Sequence, residues 1–209
     1  MNDGFFAVWL LAIGLILYLT GWQTQVADQT SRMAVAAFLT GVTLLHGLAV
    51  PIGGGIVTLQ GSAAWALLWA FIAVICIRNF LQSLFVILCA VLGGAVWLWI
   101  RFMYATDPVF LFFHPGLDGA IIAGFLAGML TERFAMQAAI IAIAASIAQF
   151  SAILMPGKPI EPITIGMLSW WDGAVAALAA SRLTWNVKAG IRHVSKWFSE
   201  GTRERGGNP

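Results

Sequence analysis

Two aspartates carry the clearest chemical potential in this chain. Asp118 and Asp172 each open an Asp-Gly-Ala triplet (Asp118-Gly119-Ala120 and Asp172-Gly173-Ala174) and each leads into an apolar, small-residue segment. An aspartate at a helix start accepts hydrogen bonds from the first free backbone N–H groups and favours the positive end of the helix dipole. The same two carboxylates, with His46 and His114 nearby in an outer layer, could instead line a shallow polar site for a cation or small solute, since ionisable groups at membrane depth often mark such paths. Both readings stand at this stage. No metal is assigned, because no two of the histidines show ligand spacing such as H-x-x-x-H. No catalytic residue and no cofactor are assigned either: the chain contains no G-x-S-x-G and no H-E-x-x-H. The expectation is a protein that is not an enzyme. Gly53-Gly54-Gly55 lacks the Lys-Ser/Thr of a phosphate-binding loop and reads as a turn.

Behind each aspartate runs a ladder of small residues at four-residue spacing. One is Ala120, Gly124, Gly128; the other is Gly173, Ala177, Ser181. Helices in lipid gain little from burying apolar surface against one another, so close backbone approach through small residues is a common means of association. The two ladders are expected either to pack directly together or to flank the helix between them.

The elements that must position these residues are apolar spans. Of 209 residues, 60% are hydrophobic and 10% charged, with a mean hydropathy of +0.89. A soluble domain carries about 25% charged residues, so the partner implied is the lipid bilayer and not nucleic acid. Candidate spans cover 5–20, 33–50, 63–77, 84–100, 117–130, 134–154 and 167–185. The fold class expected is all-α, a polytopic bundle of about seven helices over 1–185 with a tail over 186–209. Six spans result if 63–100 merges or 117–130 fails to cross, for that segment reaches only about 21 Å against roughly 30 Å of hydrocarbon. The stretches 51–62, 103–115 and 155–166 read as outer links. With the N-terminus outside, nine basic residues fall inside and two (Arg101, Lys158) outside, together the 11 of the chain. That asymmetry predicts N-out and C-in. Cys76 and Cys89 read as buried thiols, Arg78 and Arg133 as snorkelling cations, and the tryptophans near span ends as an interfacial belt.

In the tail, Val187, Ile191, Val194 and Phe198 recur at helical spacing opposite Lys188, Arg192 and Lys196. This predicts a basic amphipathic helix on the anionic inner leaflet, or a contact for another membrane protein.

Leu117-Asp118-Gly119 resembles a motif of intramembrane zinc proteases, but the histidine pair that would hold their metal is missing. A broader resemblance rests on the LTGW near Thr20, the PIGGG loop, and FFHPGLDG followed by a small-residue helix. These are similar to the YphA-type membrane proteins of spore-forming Firmicutes, small multi-pass proteins of about this length. The resemblance implies a bacterial cytoplasmic membrane and supplies no catalytic residue. Two functions follow as expectations: a scaffold or accessory component of the cell envelope, or a small-solute permease or membrane-embedded substrate-binding subunit of a transporter.

Overall fold

The computed structural model describes residues 2–107, 113–151 and 162–196 in full, together with the backbone of 152 and 197–205. Lys158, the proline-rich part of the 155–166 link, the end of the 134–154 stretch and the side chain of Phe198 lie outside the fully described residues.

Among the described residues eight α-helices form: α1 Phe5–Leu19, α2 Gln23–Ala27, α3 Arg32–Leu45, α4 Gly61–Ile75, α5 Phe80–Thr106, α6 Asp118–Leu130, α7 Phe134–Gln149 and α8 Leu168–Arg205. Local chemistry sets several of the boundaries. Ser31 accepts from the Ala34 N–H at 3.2 Å at the start of α3, and Asn79 accepts from the Leu81 N–H at 3.1 Å at the start of α5. Both satisfy donors that a first helical turn leaves free. Helix α5 runs to Thr106, further than the expected end near residue 100. Helix α2 is a short extra turn inside the expected polar link.

The all-α expectation needs correction, because a small sheet closes one end of the bundle. Strands β1 Ala49–Ile52, β2 Val57–Gln60 and β3 Ile163–Ile165 lie in the order β1-β2-β3. β1 pairs antiparallel with β2 from Ala49↔Gln60 to Ile52↔Val57, and β3 pairs parallel with β2 from Val57↔Ile163 to Leu59↔Ile165. The β-branched content of these stretches suits a pleated surface. The turn between β1 and β2 holds Gly53, Gly54 and Gly55 at φ of 63°, 71° and 93°, a backbone region that side chains with a Cβ rarely adopt. Pro51 within the edge strand β1 removes a ladder donor and so blunts an edge that would otherwise invite pairing.

The seven longer helices alternate in direction. Pairing of β1 with β2 sets the end of α3 beside the start of α4, and Gly4 before α1 meets Asp172 in α8. At the opposite end, Ser83 of α5 donates to the Val74 carbonyl of α4, and Lys188 of α8 reaches the last carbonyls of α6. One end is therefore the sheet end, and the other is marked by Arg182.

Helix α7 occupies the centre, packed on α4, α5 and α8. Its buried residues include Ala139, Ala144, Ala145 and Ala148, while Trp9, Ile16, Phe71, Leu88 and Trp99 point outward from peripheral helices. Small residues inside and large apolar ones outside invert the soluble pattern. Helix α8 continues without a break for 38 residues, about 57 Å at the helical rise. The tail is thus the far half of α8 and not a separate helix turned aside.

Candidate functional site

Asp172 sits five residues into α8, too deep to cap its own helix, and it caps another instead. Its two carboxylate oxygens accept from the Gly4 N–H and the Ala7 N–H, each at 2.7 Å. These belong to the first turn of α1, where four N–H groups lack helical partners. The charge also lies at the positive end of the α1 dipole. One buried side chain thereby joins the two chain-distant helices.

Asp118 is the first residue of α6 and turns back onto the segment preceding it. Its carboxylate accepts from the Phe113 N–H at 3.1 Å, the His114 N–H at 3.2 Å and the Tyr104 hydroxyl of α5 at 3.0 Å. Own-helix capping is therefore corrected at both aspartates, although carboxylate-to-amide chemistry operates at each. Between them stands the buried indole of Trp97. A Cβ at Gly119 would come within 2.6 Å of Trp97 Cδ1, and one at Gly173 within 2.6 Å of Trp97 Cζ2. The repeated Asp-Gly pair has a spatial meaning: the aspartate ties down backbone and the glycine clears room for the same tryptophan.

At the other end the hub is Arg182, buried to 6% exposure. Its Nε donates to the Gln25 carbonyl at 2.9 Å, and one Nη donates to the Thr24 carbonyl at 2.9 Å and to Asp28 at 2.8 Å. The other Nη donates to Gln137 Oε1 at 3.3 Å. The guanidinium also lies 4.4 Å from the centre of the Trp185 ring, within the range of a cation–π contact. Its acceptors are the carbonyl end of α2, where a cation complements the dipole. Asp28 uses its second oxygen to accept from the Phe134 N–H, capping α7. Gln137, fully buried in α7, donates to the Thr131 carbonyl at 2.9 Å. A buried guanidinium is tolerable only when paired and hydrogen-bonded in this way.

Lys188 donates to the Met129 carbonyl at 2.9 Å and the Gly128 carbonyl at 3.3 Å, closing the end of α6. Beyond it, Arg192 pairs with Glu132. The hydrogen bond and charge of Arg192 hold the Glu132 carboxyl below its ordinary range, with a smaller pull from Lys188. A local Glu132–Arg133 pair, conceivable from their adjacency, does not form.

The two ladders meet face to face. A Cβ on Gly124 would fall 2.1 Å from the Ala177 carbonyl oxygen, one on Gly128 2.4 Å from that of Ser181, and one on Gly173 3.7 Å from the Ala120 Cβ. Helices α6 and α8 therefore touch backbone to backbone at the Gly124 and Gly128 levels and remain in van der Waals reach at the Gly173–Ala120 level.

His46, at the end of α3, and His114 are both exposed, and His114 Nδ1 accepts from the Gly116 N–H at 3.2 Å. Among the described residues, no three of His, Cys, Asp and Glu come together as a metal-holding group. His46, His114, Asp118 and Asp172 do not assemble into such a cluster. Cys76 is exposed, and Cys89 is buried. Trp97, Trp170 and Trp171 are core residues and not interfacial ones, whereas Trp22 and Trp99 are exposed. Sequence reasoning missed Asp28 and Gln137 as partners of Arg182. The available signal was an amide near the start of an alanine- and isoleucine-rich helix, and an acid in a link otherwise free of carboxylates.

A helical bundle that keeps alanine and glycine within and presents large apolar side chains outward defines an integral membrane protein. The chain belongs to the YphA-like integral membrane proteins, whose family model matches residues 3–207. No curated protein and no solved structure matches it. Two helical stretches, Phe80–Thr106 and Phe134–Ser151, are long and apolar enough to cross a bilayer by length and composition, and α1, α3, α4 and α6 are shorter apolar helices.

Proposed function

We propose that the chain is a scaffold or accessory protein of the bacterial cytoplasmic membrane, crossing it seven times, N-out and C-in, without catalytic machinery of its own. The alternation of seven longer helices supports the crossings. Arg32, Arg78, Arg133, Arg182, Lys188, Arg192 and Lys196 all fall at the Arg182 end or beyond it along α8, which supports placing that end inside. Short spans are accommodated by local thinning of the bilayer or by flanking residues that snorkel.

One observation carries the scaffold reading. The buried charges Asp118, Asp172 and Arg182 are each engaged by the backbone of a neighbouring segment, while α8 extends about 57 Å and leaves Val187, Ile191 and Val194 exposed along its far half. Charges committed to backbone hold helices in place. An exposed apolar row on a basic helix is suited to a partner helix or to the leaflet surface.

Mild-detergent purification of the full chain tests this. A stoichiometric membrane partner is expected, and it is expected to be lost in V187S/I191S/V194S, which spares Lys188 and Arg192. Lone monodisperse protein from native membranes would count against the scaffold. The permease reading makes the opposite demand: D118A and D172A would abolish solute uptake while leaving partner capture intact. Reporter fusions at the two chain ends should report opposite faces.

A further inference from the structure

We propose that the cleft between the α4–α5 turn and the start of α7 binds the phosphate of an anionic phospholipid. The cleft holds about 450 Å³ and is lined by Arg78, Asn79, Gln82 and Arg133 together with apolar residues that include Ile77 and Met136. A second cleft of 290 Å³ adjoins it, sharing Gln82, Arg133 and Met136.

The two arginines differ from their neighbours in what they touch. Arg182 is paired with Asp28 and Arg192 with Glu132. Arg78 and Arg133 have no ion-pair partner among the described residues, and no carboxylate lines the larger cleft. Glu132 borders the smaller one, where Arg192 already neutralises it. Two unpaired guanidiniums facing one cavity form a concentrated positive site, and the planar guanidinium fork matches phosphate oxygens. Asn79 spends its carbonyl oxygen on the Leu81 N–H, which leaves its amide N–H groups for an acceptor in the cleft. Gln82 adds a second neutral amide able to meet phosphate or glycerol oxygens.

A lipid, rather than free phosphate, is the occupant because of what surrounds the basic rim. Ile75, Phe80 and Leu81, which flank the lining residues Cys76 to Asn79 in the chain, are 78%, 77% and 71% exposed. Polar donors directly next to unburied apolar side chains reproduce the two chemistries of a phospholipid, head group and acyl chains. Basic pockets between helices on the cytoplasmic side are a recurrent means of holding acidic lipids. This assignment rests on the membrane reading above for the level of the cleft in the bilayer.

The test uses the full chain in nanodiscs of phosphatidylcholine, alone or doped with phosphatidylglycerol, with retained lipid counted by native mass spectrometry after gentle release. Wild type is expected to retain phosphatidylglycerol at least about tenfold better than R78Q/R133Q, two basic contacts being lost. R32Q/K196Q removes the same charge from α3 and α8, at residues that line neither cleft, and is expected to retain the lipid like wild type. Soluble glycerol phosphate is expected to give no thermal protection. Equal retention by R78Q/R133Q, an equal drop in R32Q/K196Q, or protection by glycerol phosphate matching that of the lipid would each overturn the proposal. Nanodiscs expose both leaflets, so a wrong orientation would leave this result unchanged and would show only in the reporter fusions. Unaltered melting of R78Q/R133Q in pure phosphatidylcholine establishes that it folds.

Discussion

The two ends of the bundle solve the same problem with opposite charges. At the sheet end, Asp172 and Asp118 accept hydrogen bonds from backbone N–H groups. At the other end, Arg182 and Lys188 donate to backbone carbonyls. Each sign follows the local peptide dipole: α1 offers its N-terminus to Asp172, and α2 and α6 offer their C-termini to the cations. The ends also differ in complexity. Asp172 joins two helices through two hydrogen bonds, whereas Arg182 joins α2, α7 and α8 through Asp28 and Gln137. A bundle with alanine-filled contacts gains little lateral grip from side-chain interlock, so buried charges that reach the backbone set which helix ends lie together.

The largest effect should come from the arginine hub. Arg182→Met leaves Asp28 without its cation, and breaking a buried pair by removing one partner costs about 3–5 kcal/mol. Thermal unfolding in detergent should fall steeply, with loss of amide protection in both α2 and the first turn of α7. An Arg182→Met protein melting like wild type would remove the hub from this account.

Asp172→Ala should come next, at roughly 3 kcal/mol for two hydrogen bonds to a buried charged acceptor. Hydrogen exchange sharpens the contrast. Protection is expected to vanish at Gly4 and Ala7 while α2 keeps its own. If exchange rises equally at both ends, the two networks are one cooperative unit, and the division between them fails.

Gly124→Ala tests the seam joining the ends. The added methyl meets backbone and not a side chain that could move aside, so a cost of about 1–3 kcal/mol is expected from overpacking. Gly14, which has open space around it, provides the control, since alanine there should be neutral or slightly stabilising.

The smallest effect lies at the exposed edge of the cationic end. Because Arg192 depresses the Glu132 carboxyl, this contribution to stability is fully present above the ordinary value of 4.5 and is lost as pH falls through the lowered folded value. Melting followed below pH 4.5 should show a shallow decline that Glu132→Gln flattens, and added salt should weaken it.

Much of this frame is readable in one dimension. The apolar runs mark the helices, and Gly124, Gly128, Ala177 and Ser181 advertise two contact faces by four-residue spacing, since a helix face depends only on neighbours a turn away; that the two faces meet each other comes from the packing of α6 on α8. The glycine run at Gly53–Gly55 announces a turn, but the strands around it pass for loop because β2 acquires its second neighbour from Ile163–Ile165, a hundred residues later in the chain. The far half of α8 reads as a separate surface helix because nothing local reveals that Lys188 and Arg192 are held by the end of α6.

By itself, the sequence determined the solvent, the two small-residue faces and the bias of basic residues toward one end, because each is a property of composition or of short-range periodicity. Only the tertiary structure decided that Asp172 serves α1, that Asp28 and Gln137 serve Arg182, and that Trp97 lies between the two Asp-Gly pairs. Those pairings are set by which helix ends arrive beside one another, and a contact across 168 residues leaves no trace in the spacing of its neighbours.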